Sequence, residues 1–202
     1  MNILRRSTDA IKTVTSMAVA LLMAACSGQP EKPAKRGAQP PAKQSAVQAE
    51  FEQAVQLMRK GDQQQAVERF RQLAEANPQY SGPYANLGLL HLQAGRLDEA
   101  EQAFHKALEL SPDNARYLNH LGVVYRRQGR FEEARDAYER ALQIKPDYGD
   151  AHRNLGVLYD LYLFDYDKAE RHYRRAMQLN PDDREKISRW LFELDNRAHA
   201  AN

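Results

Sequence analysis

The chain has 202 residues, of which 43% are hydrophobic, and this is enough to build one compact domain or two small ones. Its formal net charge of +2 falls to about zero when residues 1–25, with three basic side chains and one acidic side chain, are set aside. Such a balance argues against nucleic-acid binding driven by bulk charge, because that mode needs a basic face able to displace phosphate counterions.

Residues 1–25 have the layout of a signal peptide. Arg5, Arg6 and Lys12 precede an uncharged apolar run over residues 14–25 that ends in small side chains. As a helix, a run of about a dozen residues spans roughly 18 Å, which is too short for the ~30 Å hydrocarbon layer of a bilayer. We therefore expect cleavage after Ala25 and no permanent membrane span in this segment.

The single cysteine, Cys26, cannot form an intramolecular disulfide. It ends the segment LMAAC, which resembles the lipobox of bacterial lipoproteins, where the cysteine is diacylated and becomes the new N-terminus. That resemblance implies that Cys26 carries a palmitate-type anchor, and two or three acyl chains hold a small protein stably on a bilayer. Ser27 implies, by the same resemblance, sorting to the outer membrane, facing the periplasm. An ordinary cleavage site beside a spare cysteine is the alternative.

Residues 26–46 are predicted to form a disordered tether. Four prolines and few apolar side chains leave this segment unable to bury enough surface to fold. In polyproline geometry, at ~3.1 Å per residue, it reaches at most about 60 Å. Its lysines and arginine could also contact anionic lipid headgroups, but solvation of a linker is the favoured explanation for them.

Four classes of residue recur with one period from residue 47 onward. Ala66, Ala100 and Ala134 are equally spaced, and Ala169 follows with one residue added to that spacing. The same spacing is kept by the prolines Pro78, Pro112, Pro146 and Pro181, by the aromatic residues Phe70, Phe104, Tyr138 and Tyr173, and by the glycines Gly88, Gly122 and Gly156. The shared period, roughly 34 residues, is in the range that indicates tandem structural repeats.

Each repeat is predicted to be a hairpin of two helices. Apolar residues follow helical spacing in two runs, as in residues 84–91 and 97–108. In the first three repeats, Gly61, Gly95 or Gly129 separates the runs, as is typical of a left-handed residue at a helix end. The small residues let the two helices approach closely, and the recurring aromatic residues are expected to fill the space between repeats.

The segment YANLGLLHLQAGRLDEAEQAFHKALELSPDN, residues 84–114, closely resembles the tetratricopeptide repeat. The resemblance implies an all-α helical-hairpin solenoid with four repeats, at about residues 47–80, 81–114, 115–148 and 149–183, and a capping helix over residues 182–198. Asp182 and Asp183 are candidate N-caps of that last helix, which is expected to lie over the fourth repeat.

The turn of the fourth repeat has one extra residue and no glycine. Its segment over residues 161–166 is rich in apolar and aromatic side chains: Leu161, Tyr162, Leu163, Phe164 and Tyr166. Either these side chains pack beneath the capping helix near Trp190, or they form an exposed apolar patch that binds a partner.

The residue pattern does not favour catalysis, metal binding or a cofactor. No serine after Cys26 lies in a glycine-flanked elbow, and no two histidines form the i, i+4 pair of a metal-binding helix. No glycine-rich phosphate loop is present, since the repeat accounts for the glycines. We expect a non-enzymatic protein, with a hydrolase as a remote alternative.

A binding groove is the remaining candidate site. The family resemblance assigns its lining to the first helix of each repeat: Phe51, Val55, Met58, Asn86, Leu89, Arg116, Asn119, Val123, Arg126, Arg127, Arg153, Asn154 and Val157, extended by Arg59, Ala85, Leu92, Gln93, Asp150 and Asp160. Guanidinium groups hold carboxylates and amides can hold an extended backbone, so the expected ligand is a peptide with acidic groups. The alternative is that the arginines only keep this surface soluble.

The whole sequence resembles tetratricopeptide outer-membrane lipoproteins, among them the pilotins of type IV and tight-adherence pili. That implies a scaffold that binds a protein of the cell envelope and assists assembly or localisation of a complex, such as a pilus or a secretin. An adaptor for cell-wall hydrolases or envelope proteases, or an accessory of a TonB-type complex, is the alternative. Neither the partner nor the oligomeric state follows from the sequence.

Lipidation of Cys26 predicts a drug-sensitive maturation step. Globomycin, which inhibits the lipoprotein signal peptidase, should cause the longer precursor to accumulate, because cleavage before Cys26 requires that enzyme. Gel mobility checks the prediction, with a Cys26→Ser variant as the control that no longer responds. An unchanged size of the native chain on treatment would exclude the lipoprotein interpretation.

Overall fold

In the computed structural model, residues 42–200 are described, and within this range all regular secondary structure is helical. The helices are α1 (Ala42–Lys60), α2 (Gln63–Ala76), α3 (Ser81–Gln93), α4 (Leu97–Leu110), α5 (Ala115–Arg127), α6 (Phe131–Ile144), α7 (Gly149–Leu161), α8 (Tyr166–Leu179) and α9 (Arg184–Ala200), with a short 3₁₀ helix at Pro181–Asp183. The signal peptide, Cys26 and most of the predicted tether lie outside the described residues.

Helices α1 to α8 form four consecutive hairpins, each packed against the next, and α9 packs against α8. This confirms the predicted all-α solenoid of four hairpins with a C-terminal capping helix. Residues 42–46 are helical, although the sequence analysis places them in the tether. Ala42, Lys43 and Gln44 are strong helix formers that follow the last proline, which explains the earlier start of α1.

A glycine on the first helix of a hairpin lies against an aromatic ring on the second helix. A Cβ atom added to Gly88 would be 2.9 Å from the Phe104 ring, and one added to Gly122 would be 2.5 Å from the Tyr138 ring. Gly156 has the same relation to Tyr173. Each buried ring is thus seated on the glycine of its own hairpin, a contact that the sequence analysis assigned to the space between repeats.

The turns inside the first three hairpins follow the predicted pattern. Gly61, Gly95 and Gly129 have φ angles of 85°, 76° and 79°, and this confirms that the helix ends need a left-handed residue. The fourth hairpin has no glycine there, and Phe164 instead has a φ of 53°. This backbone is unfavourable for a bulky side chain and distinguishes the fourth turn.

One recurring tyrosine contact joins the second repeat to the third and the third repeat to the fourth. The Tyr125 hydroxyl lies 3.0 Å from Nε2 of His105, in the preceding repeat. At the equivalent position one repeat later, the Tyr159 hydroxyl donates to Oε1 of Glu139 at 3.1 Å. The two pairs have the same separation along the chain, so the second, third and fourth repeats stack with a constant register.

The capping helix α9 is attached to the fourth repeat by packing and by a buried carboxylate. Ile187 is fully buried, and the centroid of the Trp190 ring lies 5.5 Å from that of Tyr173. Asp160, only 2% exposed, accepts hydrogen bonds from Arg197 at 2.7 and 3.1 Å. These contacts confirm the expected place of the capping helix.

The predicted N-caps of the last helix have another arrangement. Asp182 and Asp183 lie in the 3₁₀ helix that precedes α9, and Asp183 forms an ion pair with Arg153 on α7. Its carboxylate therefore stabilises the contact between the fourth repeat and the cap. Within residues 42–200, no helix is long and apolar enough to cross a membrane.

The contact between Gly122 and Tyr138 predicts that this site does not tolerate a side chain. Gly122→Val should lower the free energy of unfolding by about 2 kcal/mol, because the added atoms force a fully buried ring to move. Urea unfolding checks this, with Ala49→Val on the exposed face of α1 as a control that should cost less than about 1 kcal/mol. Equal effects of the two substitutions would contradict the packing argument.

Candidate peptide-binding groove

The predicted groove residues lie on α1, α3, α5 and α7, the first helices of the four hairpins. One partly buried apolar side chain occurs at the same position of each helix, spaced by the repeat period: Val55, Leu89, Val123 and Val157. We call these four residues the apolar row. Because the second, third and fourth repeats stack in constant register, Leu89, Val123 and Val157 lie beside one another along the solenoid, and Val55 is their equivalent in the first repeat.

At the first repeat, the surface contains a mainly apolar cavity of about 400 Å³. Phe51 lines it, and its ring meets the Phe70 ring edge-on with 5.5 Å between centroids. Tyr80 and Pro83 line another part of the cavity, which joins the first two repeats. Met58 is partly buried against the core of the first hairpin. This end of the surface is suited to an apolar side chain.

The predicted asparagines are partly engaged within the chain. Asn86 donates from Nδ2 to the carbonyl oxygen of Gly82 at 2.9 Å. Asn154 donates from Nδ2 to Oδ1 of Asn119 at 2.9 Å, and Asn119 is 3% exposed. The Asn154–Asn119 bond thus connects neighbouring repeats, and only the remaining polar atoms of these amides can bind a peptide backbone.

Two of the predicted arginines are also bonded within the solenoid. Nη1 of Arg127 donates to the carbonyl oxygen of Leu92 at 2.6 Å, which caps the end of α3. Arg153 forms ion pairs with Asp150, at 2.9 Å, and with Asp183. The two guanidinium groups therefore stabilise contacts between adjacent repeats and with the capping segment, and they are not free to bind a ligand.

Arg116 and Arg126 have different surroundings. Arg116 is exposed and lines an open cavity of about 900 Å³ that Tyr148 and Asp150 also line. Arg126 is partly buried, with its guanidinium carbon 5.9 Å from the centroid of the Tyr162 ring, and its Nε atom is buried without a hydrogen-bond partner.

A second buried polar atom without a partner lies in the same hairpin. The Tyr138 hydroxyl is buried beside Arg126, but the two groups do not have the distance and angle of a well-formed hydrogen bond. Burial raises the pKa of Tyr138 to about 12, so this phenol is neutral at physiological pH. Buried polar groups are nearly always satisfied in folded proteins, which makes this pair of atoms unusual.

Some of the residues extending the predicted lining are not accessible. Ala85 is 4% exposed and Leu92 is 9% exposed, so both belong to the core. Asp160 is buried and bound to Arg197, as described above. Ala85, Leu92 and Asp160 therefore face the adjacent repeat or the capping helix and cannot contact a ligand. Arg126 occupies the repeat position of Leu92 and Asp160, but it remains partly exposed.

In the aromatic segment of the fourth turn, some side chains are packed and others are exposed, so each of the two expected arrangements holds in part. Tyr162 packs on Phe131, with 4.6 Å between ring centroids, while Leu163 and Tyr166 are partly buried against the core. In contrast, Leu161 is 47% exposed and Phe164 is 66% exposed. The segment is neither wholly packed beneath α9 nor wholly exposed.

Three histidines of the described chain, His120, His152 and His172, fill packing positions. The His120 ring stacks on that of Phe104, and burial lowers the pKa of His120 to about 4. His152 and His172 approach to 3.0 Å between their Nδ1 atoms. Over the part of the chain that the structure describes, no three potential metal ligands come together.

Three segments of the chain match known sequence profiles. The profiles are described as tetratricopeptide repeat, and they match residues 51–113, 85–149 and 151–187, which together make up about two thirds of the chain. No curated protein sequence matches the chain significantly.

Several solved structures share the fold. PilF of Pseudomonas aeruginosa is 22% identical, with a TM-score of 0.70 over 78% of this chain and 71% of that chain. MamA, from residue 41 onward, of Desulfovibrio magneticus RS-1 is 22% identical, with a TM-score of 0.60 over 66% and 75%. An O-GlcNAc transferase of Thermobaculum terrenum is 25% identical, with a TM-score of 0.64, and is matched over 69% of this chain but only 27% of that chain.

The unpaired Tyr138 hydroxyl predicts an unusual response to mutation. Tyr138→Phe should leave the stability unchanged or raise it, because the variant loses no hydrogen bond and no longer buries an unsatisfied polar atom. Tyr173→Phe is the matched control at the equivalent position. There the hydroxyl donates to Asp160 at 3.2 Å, and its removal should cost about 1.5 to 3 kcal/mol. Chemical unfolding measures both; similar losses would show that Tyr138 has a partner.

Proposed function

The chain belongs to the tetratricopeptide repeat family, and from this we propose that it is a non-enzymatic scaffold that binds another protein along its first-helix surface. Proteins of this family bind protein partners, and their fold is typically not catalytic. The observation that carries the proposal is the apolar row, four equivalent side chains left partly exposed on α1, α3, α5 and α7. An extended polypeptide could contact all four in sequence.

The likeness to an O-GlcNAc transferase does not argue for catalysis by this chain. It extends over about a quarter of that enzyme, so the enzyme has a large part that this chain does not match. The match therefore supports the solenoid fold and leaves the scaffold proposal as it stands.

The membrane attachment in the proposal derives from the sequence before residue 42. Signal-peptide layout, the LMAAC segment and the proline-rich stretch favour a lipid anchor at Cys26 followed by a tether. With Ser27 favouring the outer membrane, the solenoid would face the periplasm. This arrangement would keep the binding surface near the membrane while leaving it free to reach a partner.

For the partner, we favour a component of a pilus or a secretin. Two observations support this choice: the sequence resembles pilotin lipoproteins, and the fold is shared with PilF. The alternative functions, an adaptor for cell-wall hydrolases or envelope proteases and an accessory of a TonB-type complex, would use the same surface with a different partner.

Site-specific photo-crosslinking tests the proposal in cells. A benzophenone amino acid at Val123 or Val157 should capture one envelope protein, because both positions lie in the apolar row. The same amino acid at Gln143, an exposed residue of the second helix α6, is the matched control and should capture little. Mass spectrometry then identifies the partner: a secretin or pilus protein supports the favoured function, and a hydrolase or protease supports the alternative. Equal capture at Gln143 would contradict binding along the first helices.

A further inference from the structure

Arg126 differs from the other partly buried arginines of the described chain, because it has no carboxylate partner. The other four each form an ion pair at 2.7 to 2.9 Å: Arg130 with Glu101, Arg135 with Asp136, Arg153 with Asp150 and Arg197 with Asp160. Within residues 42–200, Arg126 takes part in no ion pair. The solenoid neutralises the positive charges that it buries, with this one exception.

A partly buried guanidinium that lacks a carboxylate partner costs free energy. Removing a charged group from water is unfavourable unless hydrogen bonds or an opposite charge replace the lost solvation. The phenols of Tyr138 and Tyr162, the second with its ring centroid 5.9 Å from the guanidinium carbon, compensate only in part, since neutral groups pair with a cation more weakly than a carboxylate does. The buried Nε atom without a partner adds to this cost.

The partial exposure of Arg126 leaves its guanidinium within reach of a ligand. It lies on α5, one helical turn after Val123 of the apolar row, so the two side chains share one helix face. Its neighbours on the same surface are already bonded: Arg127 to a backbone carbonyl, and Arg153 to two aspartates. Among the arginines around the apolar row, Arg126 is thus the one that combines partial burial with an unused charge.

We propose that Arg126 is the specificity residue of the groove, and that it receives the carboxylate of an aspartate or glutamate side chain in the partner polypeptide. A guanidinium pairs with a carboxylate through two parallel hydrogen bonds, and partial burial strengthens that pair relative to one in water. The adjacent Val123 and Val157 would contact apolar residues on either side of the acidic one. This assignment depends on the proposed scaffold function, because the carboxylate belongs to the bound protein.

An internal acidic side chain suits the site better than the carboxylate of a chain end. A terminal carboxylate is usually recognised by several donors that converge on it. Here Arg127 and Arg153 are engaged elsewhere, and Arg116 is exposed and lines another cavity. Arg126 is the one partly buried guanidinium that remains. One charged contact within an apolar row fits an extended segment that passes through the groove.

Selection from a random peptide library tests this assignment. Peptides are displayed as fusions at the N-terminus of a carrier, so that they have no free terminal carboxylate, and binders are selected with the full-length chain in detergent. We expect enrichment of aspartate or glutamate at one position, next to apolar residues. Selection with Arg126→Gln should lose that enrichment, while Arg174→Gln, which alters an exposed ion pair on α8, should retain it.

A double-mutant cycle then shows whether the contact is direct. Replacing the selected glutamate by glutamine should weaken binding to the native chain at least about tenfold, and should have little further effect on Arg126→Gln. Circular dichroism confirms that the variant is folded, and the ¹⁵N resonance of Arg126 Nε should shift when the acidic peptide binds.

The outcomes separate the two proposals. Binders without an acidic residue, or equal affinities of the native chain and Arg126→Gln, would overturn the role of Arg126 and leave the scaffold function intact. The same holds if binding requires a free chain terminus. If no peptide binds and crosslinking at Val123 captures nothing, both the scaffold function and the role of Arg126 are wrong.

Discussion

The fold depends on one contact made within three of the four repeats, the packing of an aromatic ring against a glycine. Phe104, Tyr138 and Tyr173 are fully or almost fully buried, and the facing glycines leave no space for a Cβ atom. This fixes the separation of the two helices of a hairpin and the direction in which the remaining side chains point. In the first hairpin Ala54 occupies the glycine position, and Phe70 instead contacts Phe51 edge-on. The shared geometry of the other hairpins lets them stack in constant register, from which the apolar row follows.

At the C-terminal end of the solenoid, ion pairs attach the last repeat to the capping helix and the segment before it. Asp160 lies on the first helix of the last repeat, and it is buried because α9 covers it and supplies Arg197. A buried ion pair contributes little net stability compared with apolar packing, but losing one partner would leave an uncompensated charge. Arg153 and Asp183 make a second such connection. Asp160 and Arg153 were both predicted to line the groove, but each is bonded to the capping segment. The surface that a ligand can reach is therefore smaller than the one predicted from the repeat positions.

The hairpins, their turns and the cap could be predicted from the sequence, because they depend on local spacing and on residues with special backbone preferences. The constant repeat period and the glycines at the turns carry this information directly. What could not be predicted are contacts that side chains make with residues far away in the sequence. Arg127 bonds to a carbonyl of the preceding repeat, and Arg153 pairs with an aspartate beyond the end of α8. Nothing in the repeat pattern separates these arginines from Arg126, which has the same charge but no such partner.

A peptide-binding surface must hold an extended segment along its length, and it must also distinguish one segment from another. The apolar row offers contacts to almost any extended segment, since hydrophobic burial is not directional. If all groove arginines were free, their combined charge would favour any acidic polypeptide. The structure instead neutralises Arg153 and holds Arg127 against a helix end, which leaves one partly buried guanidinium beside the row. A single desolvated charge at a fixed place requires its counterpart at one position of the ligand, because a misplaced carboxylate loses its water without gaining a partner. A ligand is then selected by the spacing between its acidic residue and the apolar residues that contact the apolar row. The packing of Tyr162 on Phe131 holds the aromatic ring that lies beside the Arg126 guanidinium, and this keeps the charge in place.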